Sequence, residues 1–215
     1  MAKEPIVGWI HEPLAAVLGT RGKIAVLRIL WRSSTPLPYR EVVRRSGMAY
    51  RSIDLAIGEL AAAGLVEELE VGRERRVRLR TGHRLAPAIG TLLQVDADFF
   101  AALRVELRAV AAAGQREGLL AAAIVGATAR REERLGGNVD VVLIGTDRDA
   151  AARCRERFAA AADGLASRFG ARLKVIAYDL ATARAMWRTR TAAAMRDVRD
   201  SELLAGTPLE ELLSS

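Results

Sequence analysis

The chain has 215 residues, 51% hydrophobic and 27% charged, enough to bury one large core or two small ones. Lys and Arg number 33 against 26 Asp and Glu, and nearly all of the resulting +7 charge is arginine, which suits phosphates and guanine edges. A GC-rich genome produces the same Ala- and Arg-heavy composition without any function, so position along the chain has to decide. The lone cysteine, Cys154, excludes an intramolecular disulfide framework and a Cys-based zinc site. The N-terminal stretch through Gly19 lacks the basic start and long apolar run of a signal peptide, and no apolar stretch reaches the ~18 residues of a membrane span. A soluble chain in the reducing cytoplasm, with no membrane partner, is expected.

In chain order, Ile24, Leu27, Leu30 and Trp31 fall at helical spacing and predict a helix from Thr20 to Trp31. The run from Ser33 to Pro38 breaks it, with Pro38 suited to the first turn of the next helix, Tyr39 to Ser46. Gly47 punctuates. A longer helix is predicted from about Ala49 to Ala63, with Ile53, Ala56, Ile57 and Leu60 as its apolar stripe and Gly64 as its stop. Leu65 to Val71 and Arg75 to Arg80 then predict two antiparallel strands joined through Gly72-Arg73-Glu74.

This order of elements, with the pattern L-x-x-x-G-L-V from Leu60 to Val66, resembles the winged helix-turn-helix of bacterial repressors over about residues 20 to 80. The resemblance implies that the second helix of the pair enters the major groove N-terminus first, presenting Tyr50, Arg51, Ser52 and Asp54. The hairpin would add Arg73, Arg75, Arg76 and Arg78 as a positive edge for phosphates, with Arg40 and Arg44 nearby, and duplex DNA as the partner. The competing reading takes the hairpin arginines as solvated charges with Glu67, Glu68, Glu70 and Glu74 as cross-strand partners, and leaves Arg40, Arg44, Arg45 and Arg51 unexplained. A winged helix can also serve as a protein-interaction module.

After Thr81-Gly82-His83, the residues from Arg84 to Ala113 read as helical, in two pieces broken near Val95-Asp96. Leu85, Ile89, Leu92 and Leu93 make one stripe, and Phe100, Leu103, Leu107 and Val110 a heptad-like seam. That seam either pairs with a second copy, as a homodimer on two half-sites would need, or packs within the chain. His83 reads as a turn residue, with no neighbouring His or Cys to share a metal.

Gly114 and Gly118 mark a boundary. Leu119 to Val125 is an unbroken apolar run, fitting a strand buried on both faces, and Val139 to Ile144 and Arg172 to Tyr178 predict two more strands around a helix from Asp147 to Phe169. Gly126, Ala129 and Arg130 after the first strand, and Asp140 on the second, resemble the two motifs of the polymerase-beta-like nucleotidyltransferases in minimal form. The closing segment from Asp200 to Leu209 resembles the end of winged-helix proteins that carry such a domain. Phosphoryl transfer by that family implies two Mg²⁺ ions held by three carboxylates. Here the first carboxylate position is Asn138, the phosphate-contacting serine is Ala127, and the third strand offers Lys174 instead of an acid. Glu132 and Glu133, read at a helix start, are the nearest substitutes.

The expectation is therefore an α+β chain divided into a winged helix-turn-helix (1–83), a helical connector (84–114) and a nucleotidyltransferase-like α/β domain with a small mixed sheet (115–215). Its expected role is DNA-binding transcriptional regulation, the second domain catalytically inactive and serving ligand sensing, dimerisation or docking. Gly126, Thr128, Arg130 and Asp140 are the candidate nucleotide or anion contacts, with no cofactor. The alternative is an active Mg-dependent enzyme moving a nucleoside monophosphate onto a small molecule or protein.

Overall fold

The computed structural model describes residue 11 and residues 20–214. The N-terminal stretch read for a leader lies, apart from His11, outside the described residues. The described chain mixes helix and sheet and divides into two compact units, one holding residues 20–98 and the other residue 11 and residues 99–214.

In the first unit the helices α1 (Arg21–Trp31), α2 (Tyr39–Ser46) and α3 (Tyr50–Ala62) surround a core of Val26, Leu27, Leu30, Val42, Ile53, Ile57 and Leu60. The hairpin β2 (Val66–Val71) and β3 (Glu74–Leu79) adds Val66, Val77 and Leu79 to that core. The two-residue strand β1 (Leu37–Pro38) pairs with β3, giving an antiparallel sheet in the order β1-β3-β2. Pro38 therefore lies in the strand just before α2 rather than in its first turn. Gly64, at φ +76°, closes α3: the Leu65 N–H donates to the Leu60 carbonyl and the Gly64 N–H to Ala61. Those bonds satisfy carbonyls that a helix end leaves open, and the left-handed conformation they need suits glycine.

One long helix, α4 (Ala86–Gln115), replaces the two expected pieces. Asp96 does not interrupt it because its carboxylate is buried and receives Arg28 Nε at 2.7 Å, so it supports a tertiary ion pair instead of competing for backbone donors. Within the first unit Leu93 is buried and Ile89 half-buried, whereas Leu85 and Leu92 of the expected stripe are exposed. Gly90 accommodates Trp31, since a Cβ there would run into the indole ring.

The second unit is built on a mixed four-stranded sheet in the order β6-β5-β4-β7. Its strands are β4 (Leu119–Val125), β5 (Asn138–Gly145), β6 (Arg172–Asp179) and β7 (Glu202–Gly206). β5 and β6 run parallel, and β4 is antiparallel to both its neighbours. A short helix α5 (Gly126–Ala129) follows β4, and α6 (Arg148–Phe169) connects β5 to β6. Asp147 caps α6 by accepting from the Ala150 N–H at 2.8 Å. The helices α7 (Leu180–Arg188), α8 (Ala192–Arg199) and α9 (Leu209–Ser214) complete the unit.

The apolar run of β4 is explained by the two layers that cover it. Ala122 and Ile124 face a core shared with Leu103, Leu107, Phe158 and Leu165, while Ala121, Ala123 and Val125 face Ala183 and Leu209. Leu103 and Leu107, at 0% exposure, are thus intramolecular core, with Phe100 and Val110 packed partly against it. The seam read as a possible subunit contact is satisfied within the chain. No helix among the described residues is long and apolar enough to cross a membrane.

Candidate functional site

Two places carry the residues singled out in the sequence. The first lies where α2, the start of α3 and the hairpin tip meet. Arg40, Tyr50, Arg73 and Arg75 line a cleft of about 550 Å³ together with Pro38, Tyr39 and Glu74. Tyr39 forms its floor: its hydroxyl donates to Asp54 Oδ1 at 2.5 Å, its ring lies 5.4 Å from that of Tyr50, and the Arg75 guanidinium sits 4.6 Å above it. Burial first, and then the hydrogen bond to Asp54, raise the Tyr39 phenol well above its ordinary pKa, so it stays protonated and a donor.

The arginines separate into two groups. Arg44 donates to Glu41 at 2.6 Å, Arg75 to Glu68 at 2.6 Å, Arg76 to Glu74 at 2.8 Å and Arg78 to Glu67 at 2.7 Å. Glu41, bonded by Arg44 and Arg45, has its carboxyl lowered to about 2. Cross-strand pairing thus accounts for Arg75 and Arg78, while Arg76 pairs within its own strand and Arg44 within its own helix. Arg40, Arg51 and Arg73 are exposed and have no carboxylate partner among the described residues. Ser52 is half-buried, its carbonyl oxygen turned to α1, where a Cβ on Gly22 would meet it at 3.1 Å. Ala49, the cap residue before α3, supplies no side-chain acceptor, so the first N–H groups of the helix have no capping side chain to accept them. Leu55, 64% exposed, was not singled out in the sequence. Its signal was there: it is an apolar residue out of phase with the Ile53, Ala56, Ile57 and Leu60 stripe.

The second place lies on the β5 face that carries Asn138 and Asp140. Gly126 leaves β4 at φ +71°, and a Cβ on it would meet Asp140 Oδ2 at 3.1 Å, so a bare backbone here makes room for the carboxylate. Asp140 and Lys174 are register partners on parallel strands and therefore share a sheet face, which settles the orientation of the lysine. Burial raises the Asp140 carboxyl above its ordinary value, with Lys174 pulling the other way. Thr128 is buried and its hydroxyl donates to the Asn138 carbonyl at 3.4 Å.

Arg130, expected as an anion donor, is already engaged by Asp197 at 2.6 Å and Glu132 at 3.0 Å. Glu132 and Glu133 do not begin a helix: α5 ends at Ala129 and both follow it in irregular chain. Glu133 is turned inward and bonds His11 Nδ1 at 2.7 Å, and Glu132 pairs with Arg130 and Arg196, so neither joins Asp140. Among the described residues no group of three His, Cys, Asp or Glu is placed to hold a metal ion.

No known protein-family model matches the chain, and no curated protein sequence matches it. A transcriptional regulator of the MarR family from Silicibacter pomeroyi is a structural neighbour at 22% identity and a TM-score of 0.34, over 41% of this chain and 62% of that one. A predicted DNA-binding transcriptional regulator from E. coli is similar at 17% identity and a TM-score of 0.32, over 39% of this chain and 85% of that one. A toxin-antitoxin structure with AMP-PNP is similar at 16% identity and a TM-score of 0.30, over 50% and 81%. This chain spans 62% of the length of the first of these, and at such scores the likenesses are partial and carry no argument about what it does.

Proposed function

We propose that the first unit is a winged helix-turn-helix that binds duplex DNA, and that the chain is a transcriptional regulator. The observation that carries this reading is the cleft at the start of α3, where Arg40, Arg73 and Arg75 converge with Tyr50. A phosphate there would find two arginines with no carboxylate partner among the described residues and the open N–H groups of a helix start, both of which favour anions. The exposed face of α3 beside it offers Arg51 to base edges. In this reading the paired Arg75, Arg76 and Arg78 hold the hairpin in shape, and Arg40 and Arg73 grip the backbone.

The second unit, in the same proposal, is a nucleotidyltransferase-like domain without a two-metal site, used for sensing or docking. Its support is the single carboxylate beside the Gly126 turn, with Lys174 on the same face and Arg130 neutralised by two acids.

The test is binding of the full chain to a fluorescent duplex as salt is raised. Tight binding that falls steeply with salt is expected. A protein that ignores the duplex at low salt, or binds with no salt dependence, is not a DNA-binding regulator of this kind.

A further inference from the structure

Two residues of α3 serve no purpose in the packing of their own unit. Leu55 is 64% exposed, although its apolar neighbours Ile53, Ala56 and Ile57 are buried. Gly58 sits in the helix interior, where glycine weakens a helix relative to alanine, yet a Cβ built on it meets nothing within 4 Å. No neighbour in the fold forbids a side chain there. With Arg51 these residues stand at i, i+4 and i+7, one ridge of the helix, all exposed. Ala62 continues the ridge at i+11, so Leu55 is its only bulky apolar member and everything beyond it is small.

We propose that this ridge reads DNA sequence: Leu55 packs on the C5-methyl of a thymine in the major groove, and Gly58 lets the helix backbone lie close against the groove wall. The inference rests on the DNA-binding reading and adds to it the base that is recognised. The occupant follows from charge. The ridge begins with Arg51, and the residue before it, Tyr50, lines the cleft with Arg40 and Arg73; all three arginines are cations with no carboxylate partner among the described residues, and a polyanion complements them. A thymine methyl is the one apolar group that a base pair displays in the major groove, and it is what an exposed leucine can recognise there. Successive ridge residues are about 6 Å apart. That places the thymine within one or two base pairs of any guanine held by Arg51.

The full chain is first used to select duplexes from a random library, and each thymine of the selected site is then replaced by deoxyuridine, which lacks only the methyl. At one thymine the replacement should weaken wild-type binding about fourfold, the equivalent of ~0.8 kcal/mol for one buried methyl. Leu55→Ala should bind the thymine and uracil forms of that position equally while still binding the duplex. Gly58→Ala should melt no lower than the wild type yet bind the selected duplex at least about tenfold more weakly. A wild type that binds uracil as tightly as thymine at every position, or a Leu55→Ala variant that keeps the discrimination, removes the methyl contact. Wild-type affinity in Gly58→Ala removes the close approach. A chain that selects no duplex at all refutes the DNA-binding reading itself, a result distinct from one that binds DNA and ignores the methyl.

Discussion

If Arg40 and Arg73 are the phosphate contacts, their removal has a size that can be worked out in advance. Among the described residues neither is tied to a carboxylate, and both line the cleft at the start of α3, so each can displace one counterion from a phosphate. Counterion release contributes about 0.9 to the slope of log K against log salt for each phosphate neutralised. Arg40→Ala with Arg73→Ala should then make the slope shallower by about 1.8. Between about 50 and 200 mM salt the affinity gap between the double variant and the wild type should shrink roughly twelvefold. Arg78→Ala is the control. Its guanidinium is held by Glu67 at 2.7 Å, so its loss should leave the slope nearly unchanged. Fluorescence anisotropy of the full chain on one labelled duplex, titrated at several salt concentrations, measures all three. A double variant with the wild-type slope, or an Arg78→Ala variant that shifts it as far, refutes the division between paired and unpaired arginines.

Leu103→Ala should destabilise the second unit by about 3 kcal/mol in urea denaturation, because Leu103 is fully buried under the sheet; a change in oligomeric state with unaltered unfolding would contradict its place in the core. Asp140 has its carboxyl raised by burial, so its ionised form costs stability once pH climbs through the folded pKa, and that cost is absent below the ordinary value of 3.8. Asp140→Asn should accordingly melt higher than the wild type at neutral pH and lose that advantage in acid; a variant less stable at neutral pH would overturn the account. Asp147 is the opposite case. The Ala150 N–H lowers its carboxyl, so the cap stabilises α6 at neutral pH and fades as pH falls through the lowered value. Asp147→Ala should cost about 1 kcal/mol at neutral pH and progressively less in acid, as followed by thermal melts across pH.

Much of the architecture was legible from local pattern. α2 and β4 form over the residues their periodicity marked, and α3 and α6 fall within a residue of their expected ends, since spacing and stop signals such as Gly64 act within one element. That Asn138 and Lys174, not carboxylates, accompany Asp140 could also be read directly, because residue identity alone decides what can ligate a metal. Other features had no local signature. Asp96 looked like a helix breaker until Arg28, 68 residues away, gave its carboxylate a partner. The seam at Leu103 and Leu107 reads the same whether a second copy or the chain's own sheet covers it, and only the sheet's position decides. Strand β7 was missed because a strand of five residues acquires its meaning from pairing with β4, about eighty residues earlier. Among the arginines, composition could say only that there were many. On the hairpin, which were free depended on carboxylates brought within hydrogen-bond distance by the strand register, where Glu67 faces Arg78 and Glu68, opposite Val77, reaches diagonally to Arg75. The sequence by itself thus determined the elements whose signals are local and the chemistry available to them, because both are set by nearest neighbours along the chain. The tertiary structure alone decided which charges are neutralised and which apolar faces are covered, because those depend on partners that only folding brings together.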